Sequence, residues 1–126
     1  MKKWMITLKE EYADAILDGK KEYEVRTRIP RSLAPGDVIF VHVAGYGDTV
    51  LFSFVVNSVD VWSRIGLWNR LWGVLAIKRE DYLNYTLGRS RVFAIGISNV
   101  NLICNNYKMS YWGVMHAPQW FVEIKV

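Results

Sequence analysis

The sequence is poor in the residues that staple or metallate small proteins: one cysteine, two histidines and three prolines in 126 residues. A lone Cys104 excludes a disulfide within the chain and makes a cysteine-based metal site untenable. It is expected as a small buried hydrophobe in an apolar strand. His42 and His116 have no carboxylate or cysteine at ligand spacing, so no zinc site and no other cofactor is expected. His42 should pack within its strand, and His116 sits in a loop from which it could reach a ligand. No glycine-rich phosphate cradle is present, because Gly45-x-Gly47 lacks a third glycine and a following helix. No apolar run approaches the roughly 18 residues of a membrane span. Met1-Lys2-Lys3 is basic, but Trp4 to Leu8 is too short for a secretory core and is ended by Lys9-Glu10-Glu11. A reducing, cytoplasmic setting is the expectation, with no membrane partner. Repeats, low-complexity tracts and linkers are also missing, so residues 1–126 are expected to form one domain.

Charge of one sign is scarce as well. Sixteen basic and twelve acidic residues leave a net charge of +4. Residues 2–31 hold eight basic and six acidic groups, and the rest of the chain holds the same. A nucleic-acid partner is therefore permitted but not demanded, and only folding could gather a basic face. Apolar residues are plentiful at 52%, which excludes disorder. Six tryptophans and seven tyrosines exceed the needs of a small core, so some are expected on a surface where a flat ring can stack on a ligand.

Trp4 to Leu8 reads as a first strand. In residues 10–18, Tyr12, Ala13, Ile16 and Leu17 recur at helical spacing, with Glu10 and Glu11 at the positive end of the dipole and Gly19 as a stop. A strand follows over residues 21–28. Its alternation sets Tyr23 and Val25 towards the core and Glu24, Arg26 and Arg28 towards solvent or a cleft. Pro35-Gly36-Asp37 is a turn. Residues 38–43 form a strand, residues 45–48 a hairpin, and residues 49–61 a long strand with a bulge or bend at Asn57-Ser58. Residues 62–72 read as an irregular helix whose tryptophans belong to the core or to a binding wall. Residues 78–87 read as another helix and residues 92–104 as a strand. A loop begins at Asn105-Asn106, residues 110–119 are irregular, and residues 120–126 form a closing strand with Trp120, Val122 and Ile124 on one face. Five or six strands with short helices amount to a compact α+β barrel.

The stretch Gly19-Lys20-Lys21-Glu22-Tyr23-Glu24-Val25-Arg26 stands out, because packing alone seldom needs so many charges in so short a span. Gly19, Lys21, Glu24 and Arg26 reproduce the Gly-x-Lys-x-x-Glu-x-Arg pattern that follows a helix in the ASCH family of the PUA-like superfamily. Tyr12-Ala13 before Ile16-Leu17, Pro35-Gly36-Asp37, Lys78 to Tyr85 with Gly88, and Ala117-Pro118-Gln119-Trp120-Phe121 match further landmarks. The chain thus resembles that family over nearly its whole length. The resemblance implies a PUA-like β-barrel with a cleft beside the motif. It implies RNA as the partner, or single-stranded or modified DNA, and regulation linked to translation or transcription. Some relatives instead hydrolyse N4-acetylcytidine or RNA.

Three readings of the motif remain open. In the first, Arg26 offers a planar fork to a phosphate or base edge, with Arg28 and Lys21 adding charge. Tyr46, Trp62, Trp68 and Trp120 are then the candidate stacking platforms. In the second, Lys21 is a desolvated base or nucleophile, Glu24 moves a proton and Arg26 steadies an oxyanion. Glu24 stands where the acetylcytidine hydrolases carry a threonine, and Glu80 is a poor substitute for their further glutamate. In the third, the cluster is a structural ion-pair network.

Overall fold

The computed structural model describes residues 1–104 and 107–125. Among the described residues, six strands and three α-helices follow one another in the order β1 (Lys3–Leu8), α1 (Glu10–Leu17), β2 (Tyr23–Arg26), β3 (Val38–Val43), β4 (Val50–Ser63), α2 (Arg64–Leu75), α3 (Arg79–Tyr85), β5 (Arg91–Leu102) and β6 (Val122–Ile124). A short 3₁₀ turn at Met109–Trp112 precedes β6. The strands form one mixed sheet in the order β2-β5-β4-β3-β1-β6. β1 and β3 run parallel; the other pairs are antiparallel.

The expected barrel is not closed. Among the described residues β2 and β6 are the sheet edges, and no pairing joins them. The reason lies in strand length. β2 has four residues and β6 has three, too few to carry a ladder around the circumference. Helices cover the sheet where closure would have done so. Val25, Val92 and Ala94 pack beneath Leu67 and Leu75 of α2 and Tyr82 of α3 in one core cluster. Trp4, Ile6, Leu8, Ile39, Val41, Phe52 and Phe54 form a second cluster with Ala13 and Ile16 of α1.

The chain bends where the residues allow it. The β4–β5 register slips between Val56 and Ser58, which is the bulge expected at Asn57-Ser58. There Gly96 faces both Tyr23 of β2 and Ser58 of β4. A Cβ on Gly96 would meet the Ser58 hydroxyl at 2.4 Å, so glycine lets the bulged strand cross β5 closely. Asp37 secures the start of the parallel pair. Its buried carboxylate accepts from Lys2 N at 2.9 Å, Trp4 Nε1 at 3.0 Å and Ala34 N at 3.1 Å. Burial alone would push this carboxyl up, but those three donors outweigh it and leave the pKa lowered.

Several local expectations are corrected. Cys104 is exposed just beyond β5, because that strand ends at Leu102 and its last residues face solvent. The irregular helix of residues 62–72 is a regular twelve-residue α2, capped by the Ser63 hydroxyl accepting from Gly66 N at 3.0 Å. Trp62 belongs to β4 instead. Trp120 lies outside β6, and Val122 is exposed while Ile124 is buried, since the sheet's edge gives Val122 no covering layer. The loop assigned to Asn105-Asn106 and the strand end at Val126 lie outside the described residues. Among the described residues no helix is long and apolar enough to cross a membrane.

Candidate nucleic-acid interface

A cleft of about 480 Å³ opens where the C-terminal end of β1, the N-terminal half of α1, β2 and α3 converge. Each element delivers its side chains for a local reason. Gly19 adopts φ +77° and ends α1. The N–H groups of Lys20 and Lys21 then both donate to Ala15 O, at 2.9 and 3.0 Å, and turn the chain into β2. That turn points Lys21 inward, and the alternation of β2 places Glu24 and Arg26 on the cleft side while Tyr23 and Val25 join the core.

The three motif charges form one chain. Lys21 Nζ donates to the main-chain carbonyl of Leu75, in the last turn of α2, at 2.6 Å and lies 3.8 Å from Glu24 Oε1. The other Glu24 oxygen accepts from Arg26 Nε at 2.7 Å. The Arg26 guanidinium carbon sits 5.1 Å from the centroid of the Phe121 ring, and Lys21 Nζ sits 5.1 Å from that of Tyr12. Lys21 and Glu24 are 4% and 6% exposed, which makes this a desolvated pair and not the surface ladder that charged strands usually carry. Burial lowers the pKa of Lys21; Glu24 opposes the shift and Arg26 reinforces it.

Residues far apart in sequence complete the wall. Tyr12 and Tyr85 bring rings, Asn84 an amide, Lys9 a cation, and Glu11 and Asp81 carboxylates. Three cations and three carboxylates therefore line the cleft. Thr7 also lines it, and its Oγ1 is buried with no hydrogen-bond partner among the described residues. Burial pushes the pKa of Tyr12 up, with Glu11, Asp81 and Glu24 adding to the rise.

Of the residues singled out from sequence, Lys21, Glu24 and Arg26 are brought together, and the others are not. Arg28 lies beyond the end of β2, its guanidinium 5.2 Å from the Trp120 ring, while Trp120 Nε1 donates to Arg28 O at 3.3 Å. These two residues make their own stack outside the cleft. Tyr46 sits in the β3–β4 hairpin, where its hydroxyl donates to the Glu10 carboxylate. Trp62 of β4 and Trp68 of α2 pack against the core cluster that α2 and α3 share with the sheet, with the Trp68 and Tyr82 ring centroids 5.1 Å apart. Trp68 also borders a second depression next to the cleft. Glu80 is exposed and absent from the lining, and Asp81 takes that place. His42 is buried and shares a 2.9 Å hydrogen bond with Thr49 O through Nδ1; His116 is exposed away from the cleft. Sequence reasoning missed Thr7, Tyr12, Asp81, Asn84 and Tyr85. For Tyr12 the signal existed: it opens the apolar stripe of α1 that leads into the motif.

Comparison with known proteins adds to this geometry. No curated protein sequence matches the chain. The crystal structure of ASCH from Zymomonas mobilis is similar over 98% of this chain and 88% of that one, with a TM-score of 0.86 at 21% identity. A solution structure of a protein from Pyrococcus furiosus is similar over 76% of this chain and 96% of that one, with a TM-score of 0.56 at 24% identity. At such identities the likeness shows the fold. The family model for the ASCH domain matches residues 6–101, which run from within β1 to within β5 and include every residue lining the cleft. The chain belongs to the ASCH domain family.

Proposed function

We propose that the chain is a single ASCH domain whose cleft takes one nucleotide of a single-stranded nucleic acid, RNA in preference to single-stranded or modified DNA. In this reading it acts as a binding module in regulation linked to translation or transcription. The observation that carries the reading is the preorganisation of Arg26. Its Nε is held by Glu24 and its plane lies near Phe121, so the remaining donors are fixed before a ligand arrives. The cleft volume falls within the range of about 300–1,000 Å³ typical of small-ligand sites. Tyr12 and Tyr85 supply faces for stacking, in place of the platforms expected from sequence.

The even charge count refines the proposal. A cleft with as many carboxylates as cations is a poor sink for several phosphates. Glu11, Asp81 and Asn84 are suited to base amines and ribose hydroxyls, and the 2′-hydroxyl is what separates RNA from DNA. Arg26 and Lys9 are left for the phosphates. Titration of labelled single-stranded RNA at several salt concentrations tests this. The expected slope of log K against log salt is shallow, about −1.4 for two phosphate contacts. Arg26→Ala should weaken binding about tenfold or more. Unchanged affinity and slope in that variant would refute the reading.

A second reading, hydrolysis of RNA or of a modified nucleoside such as N4-acetylcytidine, draws support from Lys21. Burial lowers its pKa and so brings its neutral, basic form closer to physiological pH. Against it, Lys21 donates to Leu75 O and neighbours Glu24, two contacts that favour the ammonium. Running the titrated RNA on a gel and assaying cytidine release from N4-acetylcytidine distinguishes the two. Turnover abolished by Lys21→Ala would establish the hydrolase.

A further inference from the structure

Next to the cleft lies a second, more open depression between α2 and the start of α3. The two adjoin, since Glu11, Tyr12 and Ile77 line both. Trp72 stands on its wall and is 63% exposed. Trp68, one helical turn earlier on the same face of α2, is half-buried and held against Tyr82. Gly73 adjoins Trp72, and a Cβ there would meet nothing within 4 Å, so this part of the depression is open. The basic side chains of Lys78 and Arg79 line it and are exposed. Two cations against the single carboxylate of Glu11 give it a positive balance that the cleft lacks.

Resting on the reading of the cleft as a nucleotide site, we infer that this depression is a second subsite that holds the adjoining nucleotide of the same strand. Trp72 stacks that nucleotide's base, and Lys78 and Arg79 contact the phosphate linking it to the nucleotide in the cleft. The shared wall of Glu11, Tyr12 and Ile77 sets the two depressions side by side, as neighbouring nucleotides of one strand require. The exposed ring and the local excess of cations supply the chemistry that single strands require.

The test compares ligand length. Mononucleotides and trimers of A, C and U ribonucleotides are titrated against the full chain and against Trp72→Ala, Trp72→Phe and Gly73→Leu. Gly73→Leu fills the depression and favours the helix, so it tests occupancy without weakening the fold. Thermal melts of each variant verify folding. The wild type should bind trimers more tightly than mononucleotides. Trp72→Ala and Gly73→Leu should each weaken trimer binding about tenfold and leave mononucleotide binding unchanged, with Trp72→Phe near wild type. Trimer affinities unchanged in both variants, while the wild type still binds, would overturn the second subsite alone. Failure of the wild type to bind any trimer or mononucleotide would overturn the nucleotide reading of the cleft as well. A wild-type dimer that Gly73→Leu dissociates would show that a second copy occupies the depression, and would also overturn the inference.

Discussion

The ammonium of Lys21 donates to the carbonyl of Leu75 at 2.6 Å. That bond ties the motif to the end of α2, because Leu75 is the last residue of that helix. Helix C-terminal carbonyls lack intrahelical donors and carry partial negative charge, so a lysine is a suitable partner. Lys21 thus joins the cleft to the helix that covers β2.

The burial of Lys21 has a measurable pH signature. Its pKa in the folded protein is lowered, whereas in the unfolded chain it lies at about 10.4. Below the folded value Lys21 is charged in both states and its desolvation penalty is fully present. Between the two values the unfolded chain holds more protons, so stability rises with pH. Urea unfolding of wild type and Lys21→Met across this window should show the wild type gaining about 1.4 kcal/mol on the variant for each unit of depression. A flat difference would mean that the ammonium is not penalised in the fold.

Thr7 should show a trade between stability and binding. Its buried Oγ1 has no partner among the described residues. Thr7→Val keeps the β-branched shape and removes a hydroxyl whose unpaired burial costs about 1–3 kcal/mol. The variant is expected to melt higher, by about 1 kcal/mol of stability, and to bind RNA several-fold more weakly. A lower melting temperature would place a partner on that hydroxyl already.

Asp37 governs the acid limb. Its lowered pKa contributes stability that is fully present above the unfolded value of about 3.9 and is lost as pH falls through the folded value. Asp37→Asn should cost about 2 kcal/mol at pH 7, since it weakens three bonds to one buried acceptor. It should also remove part of the loss of stability expected between pH 4 and acid unfolding. Chemical denaturation at pH 7 and pH 3 reads both effects.

Ala76 ends α2 with φ 51° and ψ 42°, a left-handed conformation that costs a residue with a Cβ about 1 kcal/mol or more. Ala76→Gly should therefore raise stability by about 0.5–1 kcal/mol after the added chain entropy is subtracted. A thermal melt checks it, and no gain would mean that the Ala76 methyl contributes packing.

The sequence alone determined the local elements and the identity of the motif. Charge placement and a glycine stop marked α1, a turn triplet marked the entry to β3, and period-two alternation put Glu24 and Arg26 on one face of β2. These signals act over a few residues, where backbone geometry fixes side-chain direction. Tertiary structure decided everything that depends on partners far away in the chain. Closure of the sheet turned on the edges β2 and β6, whose pairing no local pattern specifies. Arg28 shares the alternation of Arg26, but the strand ends between them, and Trp120 claims it instead. Trp62, Trp68 and Tyr46 looked as suited to stacking as Tyr12 and Tyr85, because aromatic content does not say which ring a helix or hairpin will cover. Thr7, Asp81 and Asn84 join Lys21 only because β1 and α3 converge on β2. Their hydroxyl, carboxylate and amide became site residues through a packing of elements that sequence spacing does not encode.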